Sequence, residues 1–405
     1  MNLIDEIYER ILNASNVLKS VVHETPLDKS RTFSHWTGSK VYLKLENLQK
    51  TGSFKVRGAY YKIHRLLSTG QVKCVVAVSA GNHAQGVAWA ASKAGIRSLI
   101  FMPEFAPAAK INATKGYGAE VVLHGRTLED SYEKAMAMAE KSGYEFIHPF
   151  NDMDVIAGQG TIGLEILKQL PKTDAVIVPI GGGGLISGIA IAIKRRKPTV
   201  KIFGVEAEGA ASMKKSIEIG RIIKLEKVDT IADGIAVKSP GELTFQIVKE
   251  YVDDIVTVDD FEISTAIFKL LERAKVVAEP AGAASIAALL SGKIKMENKN
   301  VVAVISGGNI DASLLATILE KNLITEGRVI RLLVELPDKP GTLKRALGVI
   351  AEARANIIDV SIDRTSPKIR PGRATVLIKA EVQHPSYINE IVNNLKKISY
   401  SLSIL

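Results

Sequence analysis

The sequence predicts an α/β protein: a long part built on doubly wound parallel sheets, then a separate small domain of different order. Three observations carry this. Over residues 1–325 apolar strand-like runs alternate with helical stretches, and the glycine-bearing polar turns fall at the ends of those runs. After Gly327 the alternation gives way to a β-α-β-β-α-β order. Strands alternating with helices imply parallel sheets covered on both faces, and ligands gather at the carboxyl ends of such strands.

The elements follow in order. Residues 5–18 place Ile7, Ile11 and Leu12 at helical spacing, and Thr25, Pro26 and Leu27 then break into extended chain. Residues 41–46 alternate like a strand and deliver the chain to Thr51, Gly52, Ser53, Phe54 and Lys55, where an apolar helical segment begins. Further strands are predicted over 75–78, 99–102, 121–123, 146–148, 175–180, 202–205 and 301–305, with helices such as 85–94 and 127–140 between them. In the tail, strands are predicted over 329–336, 356–362, 375–382 and 401–405, and helices over 342–353 and 387–397. That order is the ferredoxin-like arrangement. A domain this small sits near the lower limit for an independent core, which favours pairing with a neighbour.

Composition narrows the class. At 405 residues the chain exceeds what one core usually serves. The net charge of +10 arises from basic residues mixed with 43 acidic ones, so it marks no nucleic-acid surface. Its densest cluster, Lys194, Arg195, Arg196 and Lys197, precedes Pro198 and reads as the last turn of a helix, where cations offset the dipole. The single cysteine, Cys74, lies in an apolar run and permits no internal disulfide. The amphipathic start from Met1 to Leu18 does not read as a signal peptide, and no apolar run is long enough to span a bilayer, so a cytoplasmic protein is expected.

The chemistry lies in three turns. Lys55 stands behind a small flexible turn at a helix start, a suitable place for a nucleophilic amine. Gly181, Gly182, Gly183, Gly184 and Leu185 link a strand to a helix. Four successive glycines exceed what a turn needs, and they let consecutive N–H groups close on a phosphate at a helix N-terminus. The turn Ser79, Ala80, Gly81, Asn82 and His83 heads another helix. Asn82 there either caps the helix or donates to a ligand oxygen, while free N–H groups hold a carboxylate. His83 is read as a packed or helix-start residue as readily as a catalytic one. Ser306 ends the buried run 301–305 and needs a partner. Lysine, asparagine turn and glycine cradle together suit a phosphorylated carbonyl cofactor such as pyridoxal phosphate.

These segments, together with Ile231, Ala232, Asp233 and Gly234 and with Ser306, Gly307, Gly308 and Asn309, resemble the fold-type II pyridoxal-phosphate enzymes. Among these the threonine ammonia-lyases, or threonine dehydratases, are the most similar. The resemblance implies a two-layered catalytic region over 1–325, with a small subdomain near 48–150 inserted in a larger one. It implies that Lys55 anchors the cofactor and removes the α-proton, that Phe54 packs at it, and that Asn82 holds its ring oxygen. Gly181 to Leu185 would bind its phosphate and Ser306 would face its ring nitrogen. The implied reaction converts L-threonine to 2-oxobutanoate and ammonia, and L-serine to pyruvate.

Two positions depart from relatives. Serine racemases of this fold carry a serine where Ala80 stands, and a methyl group cannot supply that proton, so elimination is favoured over racemisation. Glu206 and the Ala210 carbonyl resemble the family's cation site, but Ser212 replaces an aspartate. The lower charge favours a monovalent ion or none, and no divalent metal is expected. The tail, 328–405, resembles an ACT regulatory domain, whose amino-acid effector would meet Asp338, Gly341, Thr342 and Asn356, with isoleucine or valine the first candidates. A homo-oligomer, dimer or tetramer, is expected. Serine dehydratase, serine racemase and threonine synthase remain alternatives, as does a non-catalytic amino-acid sensor, against which the intact Lys55 argues.

Overall fold

Short β-branched runs closed by glycine or polar turns account for most of the strands, and the helices between them fix which strands become neighbours. The computed structural model describes residues 2–70 and 72–405. Met1, the first residue of the amphipathic start read over Met1 to Leu18, lies outside them; Leu3–Leu18 forms a helix. The chain forms two compact units, one ending at Ile310 and the other running from Asp311 to Leu405.

In the first unit the strands are β1 (Leu27–Lys29), β2 (Lys40–Leu45), β3 (Cys74–Val78), β4 (Arg97–Met102), β5 (Glu120–Leu123), β6 (Glu145–Phe146), β7 (Ala175–Pro179), β8 (Lys201–Ala207), β9 (Asp254–Val258) and β10 (Asn300–Ile305). They form two sheets. The larger has the order β1-β2-β10-β7-β8-β9 and the smaller β5-β4-β3-β6. All pairs are parallel except β1 with β2. Every residue of β7 is buried, as a strand covered on both faces requires. Val176 and Val178 join Ile162, Ile166, Ile186 and Ile189 in the main core. Cys74 is a buried free thiol.

The helix Lys55–Thr69 is fixed by charge as well as by apolar packing. Arg57, fully buried, donates to Glu46 at 2.8 Å through both Nε and Nη2, and to Glu165 at 2.5 Å through Nη1. Lys44 adds a second cation on Glu165 at 2.6 Å. Desolvation works against the charge on Arg57, yet Glu46 and Glu165 outweigh it and hold the guanidinium above its ordinary pKa. A buried network of this kind contributes little net stability, because desolvation offsets most of the attraction. Its directional bonds instead fix how the helix carrying Lys55 is rotated and seated.

Three elements differ from expectation. β1 was read only as extended chain; it is three residues long, largely exposed, and pairs at the sheet edge. β9, also at an edge, has a mixed burial pattern that gives no clear period in so short a run. The strand predicted over 146–148 stops at Phe146, since the N–H groups of Phe150 and Asn151 turn back onto the ring of His148.

The second unit opens with the helix Ala312–Thr325, followed by β11 (Val329–Pro337), β12 (Asn356–Asp363), β13 (Arg373–Glu381) and β14 (Ser401–Ile404). These form an antiparallel sheet in the order β12-β13-β11-β14. The helices Thr342–Glu352 and Tyr387–Lys396 complete the βαββαβ order, and Leu332, Val334, Ile350, Ile378 and Ile391 form its core. Among the described residues no helix is long and apolar enough to cross a membrane.

Candidate active site

Lys55 is the first residue of its helix, with Phe54 at the cap position. Its Nζ donates to the Pro149 carbonyl at 3.0 Å and stands 5.3 Å from the centroid of the Phe54 ring. Burial lowers the amine from its ordinary 10.5 to about 8, only partly opposed by the charge of Glu279. A substantial fraction of neutral amine is therefore present under mildly alkaline conditions, which a nucleophile or a base requires. The helix Asn82–Ala94 comes so close that a Cβ on Gly86 would lie 3.1 Å from the Lys55 carbonyl carbon.

The loop Gly181–Gly184 follows β7. Gly183 has a φ of +92° and caps the helix Gly184–Lys194, whose first turn carries N–H groups that the helix cannot pair. Phe150 lies over the loop: a Cβ on Gly182 would fall 2.2 Å from its ring and one on Gly184 2.9 Å from its Cα. Thr244 steadies the loop by donating from Oγ1 to the Gly182 carbonyl at 2.7 Å. Phe150 leaves no room for a side chain at either position, and the unpaired N–H groups at this helix start are the main-chain donors that a phosphate would take.

At the end of β3, Ser79 Oγ accepts from the Gly81 N–H at 3.0 Å, and Gly81 caps the next helix. Asn82 does not cap it. Its Nδ2 donates to Glu279 Oε1 at 2.7 Å, and its Oδ1 accepts from Asn309 Nδ2 at 2.7 Å. Ala80 packs against the small-sheet core and offers no proton. His83 is buried and donates from Nε2 to the Ile147 carbonyl at 2.8 Å; burial, reinforced by the charge of Lys55, pushes it down to about 3. It is a neutral packing residue.

Ser306 follows β10, and its carbonyl accepts from the Phe54 N–H at 3.1 Å. Gly308 N–H bonds Gly52 O at 2.9 Å and Asn309 Nδ2 bonds Thr51 O at 2.8 Å. The turns at Lys55, Asn82 and Ser306 are thus joined directly, and Phe150 beside Pro149 links them to the glycine loop.

Glu279 is a site residue that sequence reasoning missed. It precedes the helix Pro280–Leu290, its N–H donates to Gly307 O at 3.0 Å, and a Cβ on Gly307 would fall 2.3 Å from its Oε1. Burial raises its carboxyl to about 7, against the lowering effect of the Asn82 hydrogen bond. A lone acidic residue before Pro280 in an otherwise apolar stretch was the available signal.

Glu206 accepts from the N–H groups of Met213 at 2.8 Å and Lys214 at 2.7 Å, and burial raises it to about 7. Ser212 Oγ is buried without a partner. Among the described residues no cluster of three or more His, Cys, Asp or Glu could hold a metal ion. In the second unit Gly341, with a φ of +87°, caps the helix Thr342–Glu352, and the buried Thr342 Oγ1 has no partner. Asp338 accepts from Arg364 Nε at 3.0 Å. Asn356 does not join this turn: the intervening helix returns the chain along the sheet, so Asn356 opposes Glu381 while Pro337 opposes Arg373 at the other end.

A family model described as pyridoxal-phosphate dependent enzyme matches residues 18–307. The chain belongs to that family. An ACT domain matches residues 330–397. The L-threonine ammonia-lyase of Thermotoga maritima is 48% identical over 397 residues, covering 98% of this chain and 99% of the relative. That of Geobacter sulfurreducens is 45% identical over the same share of each. Among solved structures, the processed threonine deaminase isoform 2 of Solanum lycopersicum has a TM-score of 0.74 at 41% identity, covering 78% of this chain and 88% of that one. Maize serine racemase also has a TM-score of 0.74, at 38% identity, over 78% of this chain and 98% of that one. Pyridoxal phosphate calls for an amine at its carbonyl and donors at its phosphate, and the buried Lys55 and the helix start after Gly183 have that chemistry.

The carboxyl of Glu279, raised to about 7, makes one consequence measurable. A carboxyl whose folded pKa lies above its ordinary 4.5 suits the fold at low pH and opposes it as pH rises through about 7. Glu279→Gln is expected to match the parent near pH 4.5 and to exceed it at about pH 8, by at most about 3 kcal/mol, in denaturant unfolding of the cofactor-free protein. A variant less stable than the parent at the higher pH would show instead an ionised carboxylate held by its partners.

Proposed function

We propose that the chain deaminates L-threonine to 2-oxobutanoate and ammonia, and L-serine to pyruvate, in the cytoplasm. The observation that carries this is the match, over practically the whole chain, to two proteins named L-threonine ammonia-lyase. Pyridoxal phosphate, when bound, withdraws electrons from the α-carbon of an amino acid. Lys55 is the residue to carry it, and its amine, neutral at modest cost, then accepts the α-proton. The Gly181 to Leu185 loop holds the phosphate, Phe54 packs beside the ring, Asn82 meets the ring oxygen and Ser306 faces the ring nitrogen. The turn Ser79 to His83 receives the substrate carboxylate on its N–H groups. The Cβ–O bond breaks and the hydroxyl leaves as water with a proton that balances, in net, the one Lys55 removed from the α-carbon; hydrolysis of the resulting unsaturated amine gives the 2-oxo acid and ammonia.

The likeness to maize serine racemase favours racemisation as a second reading. Ala80 argues against it, having no proton to deliver opposite Lys55. The catalytic region in this reading runs to about residue 325, with 328–405 regulatory. A monovalent ion at Glu206 would lie beside the unpaired Ser212 hydroxyl. Two or four copies would assemble.

Borohydride reduction of the cofactor-loaded protein and peptide mapping tests the anchor: the pyridoxyl label is expected on Lys55, and a label on another lysine overturns the assignment. Lys55→Ala should lose essentially all turnover. With threonine, serine and phosphohomoserine as substrates, 2-oxobutanoate, pyruvate and no threonine are expected, and little D-serine.

The tail supplies the regulatory part of the reading. The unpaired Thr342 hydroxyl and the N–H groups after Gly341 suit an amino-acid carboxylate, with isoleucine or valine favoured. Titration of activity with each amino acid should give a response in the full chain that is absent from a chain ending near Asn322. Equal responses in both would exclude the tail, and none in either would leave it an assembly role.

A further inference from the structure

We infer that His148 is a positioning residue, whose ring nitrogen folds one turn that sets the reactive lysine and the phosphate loop together. The backbone leaves β6 at Ile147, and the N–H groups of Phe150 and Asn151 donate to His148 Nδ1 at 3.2 and 2.8 Å. Two donors converging on Nδ1 leave it bare, so a neutral ring carries its proton on Nε2. Closing the turn has two consequences. It presents the Pro149 carbonyl to Lys55 Nζ at 3.0 Å, and it lays Phe150 across Gly182 and Gly184. The Phe150 ring meets the imidazole edge-on, with centroids 4.7 Å apart.

The surroundings keep the ring in that state. Burial lowers its pKa to about 4; Asp152 opposes this and the charge of Lys55 reinforces it. Protonation would place a hydrogen on the atom that both N–H groups need. The turn therefore depends on an acceptor at one position, and an asparagine side chain meets the same requirement: its Oδ1 stands where Nδ1 stands, and Asx turns use it to accept from the N–H groups two and three residues on.

The proposal rests on the assignment of Lys55 and the glycine loop to pyridoxal phosphate, but its first test does not. Nitrogen-15 labelling of the histidines in the intact, cofactor-free chain reads the tautomer at about pH 7. The His148 signal, identified by its loss in His148→Asn, is expected to show bare Nδ1 and protonated Nε2. A proton on Nδ1 overturns the proposal. In the second test, His148→Asn should keep kcat and the affinity for pyridoxal phosphate within about threefold of the parent. His148→Leu, which keeps bulk and loses the acceptor, should lower kcat about 100-fold and weaken cofactor binding with it. A leucine variant equal to the parent, or an asparagine variant as impaired as leucine, contradicts the role. If leucine prevents folding, the tautomer and the asparagine variant still decide. Failure of the underlying assignment shows separately, as absence of the pyridoxyl label from Lys55 in the parent chain.

Discussion

The candidate site depends on keeping the amine of Lys55 out of water without giving it a counter-ion. A carboxylate in contact would restore the usual lysine pKa, since an opposite charge favours the protonated form. Here the hydrogen-bond partner of Nζ is the carbonyl of Pro149. The acidic residue nearby, Glu279, is bonded to Asn82 and is itself raised by burial. His83 and His148 are both held neutral. Desolvation therefore prevails and pushes the amine down to about 8.

Holding that arrangement requires rigid support from parts of the chain far apart in sequence. Lys55 opens its helix, and Arg57, two residues further along, is tied to Glu46 on one side and Glu165 on the other. The turn after β10 is bonded to the turn before Lys55 through Ser306, Gly308 and Asn309. Asn82 completes the circuit from the small sheet through Asn309 and Glu279. Each link is directional, so displacing one of these turns strains the others. A buried ionic network that adds little net stability is reasonable in such a place, where geometry is what the chemistry uses.

Much of this was legible because its signals are local. Four glycines in a row, a lysine behind a small turn and a period that switches from strand to helix are all read within a dozen residues. The order βαββαβ in the tail is equally local, and each of its strands and helices was found. Glu279 was not legible, since its significance comes from Asn82, 197 residues away in sequence. Arg57 looked like any arginine near a helix start until Glu165, 108 residues on, was brought against it. The run after Glu145 has strand composition, yet His148 captures two backbone donors and ends the strand early. Asn356 was grouped with Asp338 because it opens the next strand, whereas the returning helix carries it to the opposite end of the sheet. In each case a tertiary partner, absent from any sequence window, decided the outcome.

The most direct measurement is the titration of Lys55 itself. The cofactor-free protein is labelled with an amine-reactive reagent across a range of pH, and the rate of modification is followed at the Lys55 peptide alone. A midpoint near 8 is expected if burial without a counter-ion governs the site. A midpoint near the ordinary 10.5 would mean that the amine is solvated or ion-paired, and would contradict it.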